Sequence, residues 1–461
     1  MAADLANDER EHTNPDSYSA SHKQFERERF PSGEKAWVKR ARDVGDILAL
    51  DAATRDIENK TPVAEIGLLK ASGLLKVLGP KEFGGGGESW ETGYKVIREV
   101  AKGDGSIGML LGYHLLWSTT ANVLGTEDQA KSIQQAIIEN NYFIGGAVNP
   151  LDNDLKITDD GDNIVFNGFK NFNTGGVISD ITVLEGVFEG TDDHMFTLVR
   201  TDQPGIQFQH NWDNVGMRLT ESGSVRISGV KAPWCDALGW SPETKRPIPE
   251  VLQTPFASML LPTIQLVFSN FYLGLAQGAL DSATKYTNDN TRPWPYGGDN
   301  KQYATDEFYI LERYGRFAAH LEAADALTDR AGAKIAELYA EAGIVGSTFV
   351  GGDKASNGSS NGHANGRQHN VLGREGISAQ RRGEVAAFVA QAKVVNTDLG
   401  LEVTSGIFEM LGARATGRKY GFDRFWRDIR THTLHDPVAY KKREVGRWQL
   451  LREIPEPTWY T

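Results

Sequence analysis

The sequence predicts an α+β protein of several domains: an N-terminal helical domain, a central β-barrel or sandwich, and a C-terminal helical bundle. Three observations carry that prediction. Apolar residues recur at helical spacing up to about residue 140, short β-rich runs broken by turn clusters fill 141–240, and three long helical patterns follow from 254. The 461 residues suffice for about three domains, and 40% hydrophobic residues give each the material for a core.

Residues 1–25 are charged and nearly free of bulky apolar groups, and are expected to form a flexible tail. The N-terminal helical domain spans 26–140. Trp37, Ala41, Val44, Ile47 and Leu48 mark one buried helix face there, Gly79-Pro80 and Gly84 to Gly87 mark turns, and Thr126 with Gln129 has the form of a capping box. The β-domain spans 141–240, with strands expected at 142–147, 163–170, 181–187, 194–199 and 224–230. A linker, 241–253, leads to the bundle at 254–440, whose helices are expected to reach 288 and to span 305–342 and 378–411. Between the last two lies a flexible insertion, 343–376, in whose centre alanine is the only apolar residue type. Residues 441–461 are expected to form a C-terminal tail.

Charge removes several functions. The chain carries 49 Lys+Arg against 61 Asp+Glu, a net charge of −12, and no basic tract overrides it, so neither nucleic acid nor an anionic membrane surface is an expected partner. A single cysteine, Cys235, cannot form an internal disulfide, which fits a reducing compartment. The first residues carry no apolar run of the signal-peptide kind, and no run of about 18 apolar residues offers a membrane span, so the expected location is cytoplasmic.

Several motifs carry two readings. Residues 103–108 match GxGxxG, but a helical pattern rather than a strand precedes them, so they are expected to form a turn between helices. Gly84 to Gly87 lack the Lys-Ser/Thr of a phosphate loop, and no G-x-S-x-G elbow occurs. His432-Thr433-Leu434-His435 places two imidazoles three apart, as a structural pair, as part of a metal site if a third ligand exists, or as acid/base groups near neutral pH. Lys170-Asn171-Phe172-Asn173-Thr174-Gly175-Gly176 closes a strand, and could also present a hydroxyl and backbone N–H groups to a planar polar ring. Trp212 and Trp240 suit a core or a stacked cofactor. Arg292 suits solvent or a phosphate.

In this order, Lys81-Glu82-Phe83-Gly84-Gly85, Asn167 to Thr174, Leu273-Gly274-Leu275-Ala276-Gln277-Gly278-Ala279-Leu280, Leu411-Gly412-Ala413 and Arg427-Asp428-Ile429-Arg430 resemble the acyl-CoA dehydrogenase superfamily over about residues 35–440. The resemblance implies helical, β and four-helix-bundle domains around a flavin. A dehydrogenase of this kind needs a carboxylate base. The helix segment 251–280 has no Asp or Glu, and the stretch after Arg430 offers only Asp436, which leaves an FAD-dependent dehydrogenase or nitroalkane-oxidase-like enzyme as the alternative. Gly112-Tyr113-His114, Phe172 to Gly175, Trp212 to Arg218 with Glu221 to Ser224, and above all Arg430-Thr431-His432-Thr433-Leu434-His435-Asp436-Pro437 are instead similar to the flavin-dependent monooxygenase branch, the dibenzothiophene monooxygenase-like enzymes.

That resemblance implies a two-component monooxygenase. Reduced FMN, or possible FAD, would come from a separate NAD(P)H:flavin reductase and react with O2 to a C4a-hydroperoxide that oxygenates S, N or an aromatic carbon. It implies His435 as acid/base, His432 and His114 in the substrate pocket, and Thr174 at the flavin N5/O4 edge with Phe172 and Gly175 beside it. Trp212 would pack on the ring, Asn149 and Asn153 would line the cofactor loop, and Arg292 would bind phosphate in a homotetramer. No metal is implied. The branch more often carries Ser at the Thr174 position, and a polar Asn near Gly145-Gly146, where this chain has Gly146. A non-catalytic helical scaffold that kept the fold is a further alternative.

Overall fold

The computed structural model describes residues 10–149, 154–297, 300–350 and 372–458. The N-terminal helices are α1 (Ser19–Arg27), α2 (Glu34–Ala49), α3 (Ala52–Glu58), α4 (Val63–Ser72), α5 (Trp90–Gly103), α6 (Gly105–Leu124) and α7 (Glu127–Asn140). Both halves of the capping box expected at α7 form: Gln129 N–H donates to Thr126 Oγ1 at 3.2 Å and Thr126 N–H to Gln129 Oε1 at 2.9 Å. The GxGxxG segment is a helix-to-helix turn, in which the Asp104 carboxylate accepts the Ile107 N–H at 3.2 Å and caps α6. Every residue of α6 is buried, so this helix is the axis on which the other layers pack.

The strands are β1 (Ile144–Ala147), β2 (Lys156–Asp160), β3 (Asn163–Lys170), β4 (Ile181–Phe188), β5 (His194–Arg200), β6 (Ile206–Phe208) and β7 (Val225–Pro233). They form one sheet in the order β1-β4-β2-β3-β7-β6, with β5 also paired to β4. The β2 strand is not among the strands expected from the sequence. Its residues KITDD put two acids beside Gly161, and the strand is held by antiparallel pairing of Lys156 to Asp160 with Asn167 to Asn163 and by parallel pairing of Lys156 and Ile157 with Val187 and Phe188. Leu155, Ile157, Ile164, Phe166, Leu184, Val225 and Ile227 fill the core on one face of the sheet.

After the small strands β8 (Trp240–Ser241) and β9 (Arg246–Pro247) and the short helix α8 (Pro249–Leu252) come the long helices α9 (Leu260–Asn290) and α10 (Phe308–Glu341). A hairpin, β10 (Ile344–Val345) with β11 (Thr348–Phe349), precedes α11 (Ala379–Leu411), α12 (Phe422–His432) and α13 (Val438–Leu451). The α9 helix lies between α11 and α5, and its glycines allow the closeness. A Cβ at Gly274 would fall 2.4 Å from the Arg98 carbonyl oxygen, and one at Gly278 2.2 Å from that of Lys102. This is the physical content of the Leu273 to Leu280 motif. By length and composition α9 could cross a bilayer, contrary to expectation, with a window of mean hydropathy 1.4. That window is 89% buried within the protein, so the apolar surface serves the core.

Three expected loose segments are structured wherever they are described. Within 10–25, Tyr18 and Phe25 are buried and Thr13 Oγ1 donates to Glu65 Oε2 at 2.8 Å, so few apolar groups suffice when each turns inward. Beyond 440, α13 runs on with Lys441 buried, and Ile454 packs against Gly383. At the flanks of the insertion, Ile344 is buried and Arg374 donates to the Gly125 carbonyl at 2.6 Å. The centre of the insertion, 351–371, lies outside the described residues.

Candidate active site

Helix α12 is amphipathic, and Phe422, Phe425, Asp428, Ile429 and His432 face inward at helical spacing. Its last residue, His432, is enclosed by rings: Phe268 at 4.5 Å, Phe271 at 4.8 Å and Tyr272 at 5.7 Å from α9, and Tyr113 at 6.5 Å from α6. The Tyr272 hydroxyl and His432 Nδ1 share a hydrogen bond of 2.7 Å. Burial, reinforced by the nearby His435 and Lys393, holds the His432 pKa well below its ordinary 6.5, so the ring is neutral. Its Nε2 is buried and has no hydrogen-bond partner among the described residues.

The backbone turns directly after α12, and the His435 ring stacks on His432 at 5.4 Å with its side chain 51% exposed. Asp436 Oδ1 lies 3.5 Å from His435 Nδ1. Both Asp436 oxygens contact the ammonium of Lys393, a buried residue of α11 whose charge also sits 5.2 Å over the Phe268 ring. Burial opposes ionisation of Asp436. The hydrogen bond from His435 and the Lys393 charge outweigh it, and hold the carboxyl well below the usual range. Such a carboxylate is a poor acceptor for a carbon-bound proton.

The second half of the site is the loop after β3. Thr174 is buried, and its Oγ1 lies 3.0 Å from Ser222 Oγ, which lies 2.7 Å from Thr220 Oγ1. Gly175, in the left-handed region at φ 69°, donates its N–H to the Thr220 carbonyl at 2.9 Å. Phe172 is exposed and meets the buried Trp212 edge-on at 6.5 Å, while Trp212 Nε1 donates to the Met217 carbonyl at 2.7 Å. Both amide atoms of the buried Asn173 lack a hydrogen-bond partner among the described residues.

Two bridges join the halves. Along α6, Tyr113 touches His432 and, one turn on, Trp117 backs Gly146, whose N–H donates to the Thr174 carbonyl at 3.1 Å. A Cβ at Gly146 would lie 2.5 Å from Trp117 Nε1, which is why the position carries no Asn: the indole occupies that space. On the other side Asp428, one turn before His432, accepts the Met217 N–H at 2.6 Å, and Arg427 donates to the Val215 carbonyl at 2.7 Å. The Trp212 loop is thus fastened to the helix that carries His432.

Two expected site residues, His114 and Arg292, stand elsewhere. His114 does not reach the histidine pair. One residue beyond Tyr113 on α6 it points about 100° away. Its Nε2 donates to the Leu75 carbonyl at 2.9 Å, its Nδ1 accepts the Ile144 N–H at 3.1 Å, and its ring stacks on Phe143. Burial lowers its pKa to about 4, so it is a neutral structural histidine. Arg292 is exposed beyond the far end of α9, about 30 Å from Tyr272 at the rise of a helix. The Asn149 carbonyl accepts from the buried Lys170 ammonium at 2.9 Å, and Asn153 lies outside the described residues. Sequence reasoning missed Tyr113, Trp117, Phe268, Tyr272, Lys393, Ser222 and Asp428. Of these, Tyr113, Ser222 and Asp428 left a signal, since each stands in a motif that carries the family resemblance.

The unpartnered His432 Nε2, Trp117 Nε1 and Asn173 amide, all buried along this seam, fit a ligand with a mixed polar edge and a flat apolar body, as a flavin has. Among the described residues no group of three His, Cys, Asp or Glu side chains is arranged to hold a metal ion.

Residues 33–140 match the acyl-CoA dehydrogenase N-terminal domain and 368–439 its C-terminal domain. Dibenzothiophene monooxygenase of Rhodococcus erythropolis is 35% identical over 428 residues, covering 90% of this chain and 94% of the relative. A probable FMNH2-dependent monooxygenase, SfnC of Pseudomonas putida, is 32% identical, covering 91% of this chain and 96% of the relative. The crystal structure of FMN-bound TdsC from Paenibacillus sp. A11-2 superposes with a TM-score of 0.80 at 33% identity, over 92% of this chain and 100% of that one.

Proposed function

The chain belongs to the acyl-CoA dehydrogenase superfamily and, within it, to the flavin-dependent monooxygenases similar to dibenzothiophene monooxygenase, and from that premise we propose a two-component monooxygenase that puts one atom of O2 on a small organic substrate. The target is a heteroatom, S or N, or an aromatic carbon, and the names of the relatives favour sulfur. The cofactor is reduced FMN, delivered by a separate NAD(P)H:flavin reductase. Bound reduced flavin supplies the electrons that allow O2 to be split between product and water.

One observation carries this reading. A neutral imidazole with a free ring nitrogen lies among aromatic rings, and the neighbouring carboxylate is tied to a lysine. That suits controlled protonation in a dry pocket, and gives the dehydrogenase alternative no base. His435 transfers the proton, His432 donates or accepts at Nε2, and the rings of Tyr113 and Phe268 exclude water. Thr174 and Gly175 meet the polar edge of the flavin, Phe172 and Trp212 flank its ring, and Asn149 and Asn153 contact the cofactor. Arg292 holds the phosphate of a neighbouring subunit's flavin in a homotetramer. Exposed Trp294, Tyr296, Tyr303 and Phe308 near it support such an interface. The cytoplasm, where exposed Cys235 stays a thiol, is the compartment that fits.

The test supplies purified protein with a flavin reductase, NADH, O2 and either FMN or FAD, across sulfides, sulfones and aromatic heterocycles. Product is expected only with reduced FMN, and His435→Ala is expected to lose product at least a hundredfold while O2 still drains to H2O2. Flavin reduction by substrate without O2 or reductase would overturn the reading.

A further inference from the structure

The hydroxyls beside the cofactor loop form a series that ends on a pure acceptor: Thr220 Oγ1 lies 2.9 Å from the Met217 carbonyl, which has no proton to give back. In the 2.7 Å contact between Thr220 and Ser222 and the 3.0 Å contact between Ser222 and Thr174 either hydroxyl can donate. With the Thr220 proton on Met217, each hydroxyl spends its single proton on the next, and the series runs inward from Thr174 through Ser222 to Thr220. All three side chains are buried, 4%, 0% and 3% exposed for Thr174, Thr220 and Ser222, so no bulk water reverses the series.

We propose that Ser222 and Thr220 act as positioning residues that commit the Thr174 proton inward, so that Thr174 presents only acceptor lone pairs to the cofactor and selects the reduced flavin over the oxidised one. The inference rests on the contact of Thr174 with the flavin N5 edge proposed above. Reduced isoalloxazine carries N–H at N5, a donor that Thr174 accepts. Oxidised isoalloxazine has a bare acceptor there, and two acceptors facing one another in a buried site cannot bond. An enzyme fed by a separate reductase meets both forms in one solution. A fixed hydroxyl polarity makes it take the form that reacts with O2 and release the spent one.

The experiment measures Kd for oxidised FMN in air, and for dithionite-reduced FMN without O2, by quenching of tryptophan fluorescence in the full-length protein. Wild type is expected to prefer reduced FMN. Ser222→Ala frees the Thr174 proton, and the preference is expected to fall about tenfold, mainly through tighter oxidised FMN. Thr220→Val removes the acceptor for Ser222 and is expected to move the ratio the same way, which keeps the test decisive if one variant folds poorly. Thr174→Val is expected to weaken reduced FMN about tenfold and leave oxidised FMN nearly unchanged. An unchanged ratio in both Ser222→Ala and Thr220→Val, with Thr174→Val still weakening reduced FMN, overturns the hydroxyl polarity alone. No effect of Thr174→Val on either form overturns the polarity and the flavin contact of Thr174 together.

Discussion

His114 and Tyr113 differ by one position, and that step separates a structural ring from a pocket wall. The sequence motif Gly112-Tyr113-His114 was legible as a site marker, but periodicity places a residue on a helix face only to within about one position, and 100° of rotation decides which neighbour enters the pocket. His114 also carries a pH signature. Its pKa falls from 6.5 unfolded to about 4 folded through burial, so the unfolded chain binds the extra proton first. Stability is then full above pH 6.5 and falls toward pH 4, by about 3 kcal/mol for this one ring. Asp428 runs the other way. Burial and the charge of Asp56 raise it to about 7, against the pull of the Met217 N–H, so its contribution is complete below pH 3.8 and is lost as pH rises through 7. The two slopes overlap, and the check is therefore a difference. Urea midpoints of wild type and His114→Gln, taken from pH 4 to 7, are expected to diverge at the upper end and converge toward pH 4.

Elements were legible to the extent that their burial follows their own periodicity. The three long helices and the strands at β3, β4, β5 and β7 stand within a few residues of their expected places, because one apolar face per element was enough to define each. The β2 strand, α1 and α13 were not legible, since their order comes from partners distant in the chain: β3 for the first, Glu65 for the segment ahead of α1, and α11 for the last. The same holds for Lys393, whose role depends on a turn 43 residues away. Close approach of α9 and α5 makes a mechanical prediction. Gly274→Ala forces a methyl against the Arg98 carbonyl, a backbone atom that cannot swing aside, and is expected to destabilise by roughly 2 kcal/mol. A lowered thermal midpoint with flavin affinity reduced in parallel is the expected outcome, because α9 also carries Phe268, Phe271 and Tyr272.

At the scale of the molecule, three layers converge on one seam: the sheet offers the Thr174 loop, the bundle offers Tyr272 and Lys393, and α6 runs between them. The superfamily was legible because its motifs stand in a fixed order along the chain. The polarity of the seam was not, since hydrogen-bond direction belongs to partners brought together only on folding. The length of α9 then has a consequence for inheritance of activity. If the phosphate of each flavin is held by Arg292 of another subunit, an active centre is assembled from two polypeptides. A preparation of Arg292→Ala and one of His435→Ala, each inactive, would then regain turnover when co-expressed, because some centres in the mixed assembly pair an intact arginine with an intact histidine. Product formation by the co-expressed pair, absent when the two are merely mixed after folding, is the expected result. In a cell carrying two differently damaged copies of the gene, this geometry would let each copy mask the defect of the other.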